Sequence, residues 1–298
     1  MAGTTSSSVQ QLYADIVADL VPFYMDAVLL PNQEIIKNSL IVAGTTGDQV
    51  RFPLTNSYTD AGNVSEGASI KNAAQSNLSP TAANVTFQKR GVATDVSEES
   101  LEDGGMDMVR DAVLTRLSGG LAQATDVAGL TQAKTSFTNN DGVTGSNASF
   151  IQSFVMSPEA MAYAAKREPV VKIWYNPNLD SHEFRGTVRN GFTALRSNFG
   201  RTIKSSKLGS GQAEANVEAI AKSVANLRAA NAPVGIDGMY IGLIDPGFEL
   251  AINKQLAQVG GSTISSLSDV GNNALRDATI AMVAGVKLFR SNNLPDAS

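Results

Sequence analysis

Residues 50–100 read VRFPLTNSYTDAGNVSEGASIKNAAQSNLSPTAANVTFQKRGVATDVSEES, and the fold turns on this stretch. Two β-prone runs, 50–54 and 85–88, bracket about thirty residues rich in Asn, Ser, Ala and Gly. Strands set around such a stretch predict a long extended hairpin. A loop of this length cannot bury itself, so it is either a floppy insertion or an arm that lies on another molecule. Ser97 then stands before Glu98, Glu99 and Ser100, a capping hydroxyl followed by carboxylates suited to the positive end of a helix dipole. Val109, Ala112, Val113, Arg116, Leu117, Gly120, Leu121 and Ala124 continue as a long helix with a small-residue face. Gly104 and Gly105 are expected to interrupt it, and 135–146 reads as a polar linker.

Towards the N-terminus, Val9, Leu12, Tyr13, Ile16, Val17 and Leu20 recur at three- and four-residue steps, one apolar stripe of a helix. Asp15 and Asp19 on its polar face suit packing on protein rather than on a membrane surface. Pro22 bends or ends it, and the apolar run 20–30 is too short to span a bilayer. Towards the C-terminus, strands are expected at 150–156 and 170–175, with a short helix over 158–165 between them. An alternating ribbon over 184–203 follows, punctuated by Gly186, Gly191 and Gly200, and 208–211 marks a boundary. Val217, Ile220, Ala221, Val224 and Leu227 form an amphipathic helix closed by Asn231 and Pro233. A strand at 239–244, a turn at Asp245-Pro246-Gly247, a helix over 248–259, a strand at 286–289 and a turn at 292–295 complete the chain. Helices and strands mix without regular alternation, which favours an α+β fold.

Composition narrows the chemistry. At about 150 residues per domain, 298 residues suggest two domains. With no cysteine, disulfide frameworks, thiolate zinc sites, iron–sulfur clusters and cysteine nucleophiles are excluded. The single His182 excludes a multi-histidine metal cage. The net charge of -5 hides a polarity: residues 1–149 hold 8 Lys/Arg against 16 Asp/Glu, whereas 150–298 hold 15 against 12. Such asymmetry suggests electrostatic partnership, including between copies of the chain. The opening residues carry no secretory pattern, so the expectation is a protein made and kept in the cytosol.

No site of turnover emerges. Gly209-Ser210-Gly211 precedes a helix, but no Lys-Ser/Thr ending follows and no strand directly precedes it, so it reads as a linker. His182, between Asp180 and Glu183, lacks a recognisable nucleophile, and Asn147-Ala148-Ser149 carries no weight as a glycosylation acceptor without secretion. Asp95, Glu98, Glu99, Glu102, Asp103, Asp107 and Asp111 do not match a calcium loop, and read as a solvated helix face or an acidic surface for a basic partner. Residues 166–207 offer that partner, with nine Lys/Arg and with Trp174, Tyr175, Phe184, Phe192 and Phe199 interleaved. A single-strand nucleic-acid platform is one reading, and subunit contact is the favoured one. No catalytic residue, cofactor or metal is expected, and Glu66, Asp95, Glu98, Glu99, Glu102, Arg185, Arg189 and Arg201 are the candidate interface residues.

Taken in order, these segments resemble the major capsid proteins of tailed bacteriophages, the Hong Kong 97-type fold. The resemblance rests on 22–36 as an arm, on 50–53 leading into Val64-Ser65-Glu66-Gly67-Ala68-Ser69-Ile70, and on 85–97 as a returning strand. It continues through the acidic start and long helix of 97–128, then 217–230, 240–248 and Gly285-Val286-Lys287-Leu288-Phe289 running to Asn293-Leu294-Pro295. It implies an N-terminal arm (1–40), an extended loop hairpin (41–90) and a peripheral domain with a spine helix (91–142). Strands that usually close the chain (143–211) and an axial domain (212–298) follow. Residues 150–204 look like the block that usually comes last, which suggests a circular permutation with its junction at 208–211 and Ser298 near Gly145 to Asn147.

The resemblance implies assembly: pentamers and hexamers closing into an icosahedral head around double-stranded DNA, in a virion built in the host cytoplasm. The implied partners are further copies of the chain, a separate scaffolding protein, a portal, a decoration protein and loosely held DNA, with no membrane. Lys71 and Asn72 stand where some members cross-link, but no buried carboxylate is evident to activate the lysine, so subunits are expected to separate in hot detergent. The alternatives are an encapsulin-like compartment, a tail or decoration protein and, from another class, an intracellular hydrolase.

Overall fold

The computed structural model describes residues 34–42, 47–54, 66, 81–139, 150–210, 214–235, 237–259 and 282–297, with the backbone alone at 81, 100–115, 168 and 256–259. The expected N-terminal helix, most of the extended loop with Lys71 and Asn72, residues 145–147 and Ser298 lie outside the described residues.

The decisive stretch forms a two-stranded ribbon. Strand β2 (Gln49–Leu54) pairs antiparallel with β3 (Thr81–Thr86), Gln49 opposite Thr86 and Leu54 opposite Thr81, so the two expected strands do form a hairpin root. One residue later β4 (Gln88–Ser97) enters a four-stranded sheet of order β1-β7-β8-β4, with β1 at Asn38–Ile41, β7 at Met161–Asn176 and β8 at Ser181–Ala194. Helix α1 (Glu98–Ser136) follows β4 without a loop and covers one face of this sheet. Alternation decides which face: Phe184, Gly186, Val188 and Asn190 of β8 are buried while Arg185 is exposed between them. Leu117 and Leu121 of α1 pack with Val171, Phe184 and Val188. Small residues let the layers close up, since a Cβ on Gly186 would stand 3.0 Å from Leu121 Cδ1 and one on Gly120 would stand 2.9 Å from Val92 Cγ2.

The second sheet has order β11-β12-β10-β6-β9-β5, with β11 at Met282–Val283, β12 at Val286–Arg290, β10 at Tyr240–Ile244, β6 at Phe150–Met156, β9 at Gly200–Ser206 and β5 at Thr138–Asn139. Helix α2 (Val217–Ala229) contributes Ile220, Val224 and Leu227 to its core, and Asn216 caps the helix by accepting from Ala219 N at 3.0 Å. Helix α3 (Pro246–Val259) starts at the expected turn, because Asp245 accepts from Gly247 N at 2.9 Å through its carboxylate and from Glu249 N at 3.0 Å through its carbonyl. Ile35 and Ile36 are fully buried in the same core.

Three expectations are corrected. Gly104 and Gly105 do not interrupt α1, which runs 39 residues to Ser136 and takes in the start of the expected linker. Residues 158–165 are not a helix: a turn at Ser157 to Ala160 leads straight into β7. Here tertiary pairing overrides the helix preference of alanine, since β7 is hydrogen-bonded on both sides by β1 and β8 and buries Ala162 and Ala164 completely. The ribbon expected over 184–203 is two strands in different sheets, β8 and β9, parted by a 3-10 turn at Ser197–Phe199. The mixed layout is α+β, as expected. No described helix is long and apolar enough to cross a membrane.

Two glycine substitutions separate close approach from helix propensity. A Cβ on Gly191 would stand 2.3 Å from the Thr86 carbonyl oxygen, whereas one on Gly119 meets nothing within 4 Å. In urea denaturation, Gly191→Ala is expected to cost about 3 kcal/mol, and Gly119→Ala to stabilise by about 0.5–1 kcal/mol.

Candidate subunit interface

With α1 on one face of the four-stranded sheet, the opposite face carries its charges. Register sets them in rows across β4, β8 and β7: Asp95, Glu183 and Trp174; then Ala93, Arg185 and Lys172; then, beyond an uncharged row, Lys89, Arg189 and Arg167. The acidic and basic segments, separated by about ninety residues of sequence, therefore lie on adjacent strands of one subunit.

Arg185 is held by Glu183 in a two-pronged contact, with Nη2 donating to Oε2 at 2.6 Å, and its guanidinium lies 4.6 Å from the centre of the exposed Trp174 ring. The bond to Glu183, and after it the charges of Glu183 and Asp95, raise its pKa further. Arg189 pairs with Asp48 at the foot of the hairpin. Arg201 sits apart from these two, half-buried on β9 of the other sheet opposite Val155. Glu66, Asp95 and Glu99 are exposed, Glu98 is half-buried, and the Glu102 side chain lies outside the described residues. The geometry brings Asp95, Glu183 and Arg185 together and does not join them to Glu66 or Arg201.

The tip of the β7–β8 hairpin is tied to the start of α1. Asp180, at φ 45, accepts from the Tyr175 hydroxyl at 2.5 Å, and its carbonyl accepts from Glu98 N at 3.0 Å. The Tyr175 hydroxyl bond, then a bond with Glu98, hold the Asp180 carboxyl below its ordinary range, and the same bond pushes Tyr175 up to about 12. His182 lies against Tyr175 with ring centres 5.3 Å apart. Trp174, Tyr175 and Leu179 stay exposed at this tip, Leu179 at 65%. Phe184, Phe192 and Phe199 are buried, so the row of five stacking aromatics considered from the sequence does not exist. Among the described residues no group of three or more His, Asp and Glu is placed to hold a metal. Sequence reasoning missed the Trp174–Arg185–Glu183 cluster, although period-two spacing from Glu183 to Arg185 was its signal.

No protein-family model matches the chain, and no curated protein sequence matches it. Solved structures do. The procapsid of bacteriophage JBD30 matches with a TM-score of 0.52 at 10% identity over 98% of this chain and 100% of that one. The JBD30 capsid matches with a TM-score of 0.53 at 9% identity, covering 90% and 92% of the two chains. The JBD30 capsid decorated with minor capsid protein trimers matches with a TM-score of 0.51 at 10% identity, covering 89% and 90%. The fold is that of a phage capsid subunit, the Hong Kong 97 type.

The tip bonds predict a signature in solution. A tyrosine whose neutral form is held by a carboxylate stabilises the fold below its unfolded pKa near 10, and that contribution is lost as pH rises through about 12. Burial also raises Tyr163 and Tyr240, so absorbance at alkaline pH is expected to show several late tyrosines, of which Tyr175→Phe removes the component near 12 and Asp180→Asn returns that component towards the ordinary range.

Proposed function

We propose that this chain is a major capsid protein, which assembles as pentamers and hexamers into an icosahedral phage head around double-stranded DNA. The carrying observation is the match of nearly the whole chain to capsid and procapsid subunits above a TM-score of 0.5. The hairpin root supports it: β2 and β3 pair as a ribbon of their own, outside both larger sheets, at the base of the stretch proposed to reach a neighbour. In this reading 1–40 is the arm, 41–90 the extended loop, 91–142 the peripheral domain, 143–211 the strands that usually close the chain and 212–298 the axial domain. The protein then acts by assembly, without turnover, and resides in the virion after assembly in the host cytoplasm. Its partners are its own copies, a separate scaffolding protein, a portal, a decoration protein and loosely bound DNA.

The chain's order fits a circular permutation of the capsid fold. Supporting it, the C-terminal tail lies along the start of β6: Ala297 N donates to Phe150 O at 2.9 Å and Gln152 N to Pro295 O at 2.9 Å. A chain reordered as 1–146, 212–298 and then 148–208, with Ser298 joined to the moved block by a short linker, is expected to fold with an unchanged circular dichroism spectrum; loss of folding counts against this reading.

Between subunits, the acidic group Asp95, Glu98, Glu99 and Glu102 and the basic group Arg185, Arg189 and Arg201 are the proposed contacts, with Glu66 on the extended loop. Exposed pairs contribute about 0–1 kcal/mol each, and repetition around a shell makes them felt as salt sensitivity. Light scattering with negative-stain microscopy tests the whole reading: closed shells or free five- and six-membered rings are expected, and a stable monomer in every condition overturns it. Shells holding protein instead of nucleic acid would point to an encapsulin-like compartment. Reversing Arg185, Arg189 and Arg201 to Glu is expected to lower shell yield and change its salt dependence; unchanged yield and salt dependence refute the contact assignment.

A further inference from the structure

A polar cleft lies between the root of the hairpin and the C-terminal half of α1. Its volume is about 420 Å³ and Arg90 lies in its wall. Arg90 shares the β4 face of Val92, turned towards α1, and is half-buried. Its Nη1 donates to the carbonyl of Asn190 at 3.1 Å and to the Asn190 side-chain oxygen, and its Nη2 donates to Gln88 Oε1 at 3.2 Å. Asn190 is fully buried and is fixed in turn by donating to Thr125 Oγ1 at 3.2 Å.

Every one of these partners is neutral. Arg185, Arg189 and Arg290 each have a carboxylate, but Arg90, more deeply set than Arg185, has none among the described residues, and no lining residue of the cleft is acidic. Burial without a counter-charge is costly for a cation and holds the Arg90 pKa below its ordinary value. A guanidinium has five N–H donors in a rigid fork, so three bonds leave two for something else. Around it, Asn84, Thr86 and Thr193 line the cleft, residues with neutral hydrogen-bonding side chains. A fixed, partly desolvated fork with neutral donors beside it and no competing carboxylate is a receptor for an oxyanion.

We propose that the Arg90 cleft binds an oxyanion, either a phosphate group or a carboxylate presented by a protein side chain. This assignment is independent of the capsid reading, since it rests on one subunit alone.

The full-length chain is titrated with sodium phosphate and, separately, with sodium acetate, at constant ionic strength set with chloride, while thermal unfolding is followed. A saturable rise in melting temperature is expected with at least one anion. Arg90→Gln is expected to abolish it, Arg90→Lys to weaken apparent binding at least tenfold, and Lys89→Gln, on the opposite face, to leave it within twofold. A response to phosphate alone identifies a phosphate ligand, to acetate alone a protein carboxylate, and to both the shared chemistry; each supports the site. No saturable response, or an equal response from folded Arg90→Gln, overturns it. Should Arg90→Gln fail to fold, a density map of the wild-type chain in each anion decides: density on the guanidinium supports the site, and a bare guanidinium in both overturns it.

Discussion

The closeness of α1 to the four-stranded sheet is the constraint on which the rest of the molecule depends. Glycine stands on both sides of the contact, Gly120 beneath Val92 and Gly186 beneath Leu121. With the layers this near, Leu117 and Leu121 are shut off from water and the part of the sheet beneath them is apolar. The period of two then sends the residues of β8 between those buried against α1 to the other side, which is why Glu183, Arg185 and Arg189 share one face. Burial on one side thus determines the charge pattern on the other.

The two sheets are joined at one seam. The chain leaves β6 at Met156, turns through Ser157 to Ala160 and enters β7; it returns from β8 at Ala194 through the 3-10 turn into β9. Both crossings are stitched together, with Ser157 N donating to Phe199 O at 2.9 Å and Leu195 N to Ala160 O at 2.8 Å. The Ser157 hydroxyl donates to Pro233 O at 2.5 Å, tying the segment after α2 to the same place. Phe137, at the end of α1, packs so tightly on Gly200 that a Cβ there would stand 2.4 Å from its ring. The long helix is thereby anchored to the second sheet as well as to the first.

Much of this was legible in the sequence because local pattern and final environment agree. The hairpin strands, α2 with its Asn231 and Pro233 stop, α3 and β12 are short elements whose periodicity matches one buried face, and β10 is a continuous apolar run buried on both. The failures share a cause, long-range pairing. Residues 158–165 have helical composition, yet two flanking strands claim their backbone. The run from 184 to 203 alternates evenly, and nothing local reveals that it changes sheets at residue 195. Gly104 and Gly105 signal a break only where a helix stands by its own propensity; α1 has tertiary support further along. The candidate interface was half legible: composition showed the opposite charges, but only strand register shows that Asp95 and Arg185 share one face of a single subunit. The Arg90 cleft has no local signal, because its partner Asn190 is 100 residues away.

Phe87 is the only residue between β3 and β4, so the ribbon joins the sheet at this side through a single residue. Its ring is buried, its amide donates to Asp48 O at 2.9 Å, and the Lys166 ammonium lies 5.7 Å from the ring centre. A six-residue strand at about 3.3 Å per residue makes a lever of about 20 Å, so a 10° turn about residue 87 displaces its far end by about 3.5 Å. The lever is stiffened at its base, because Gly191 lets Thr86 sit directly on β8. The pitch of the ribbon therefore depends on side-chain packing around one phenyl ring, and small changes there are geared up into ångström-scale travel at its far end, where Leu54 pairs with Thr81.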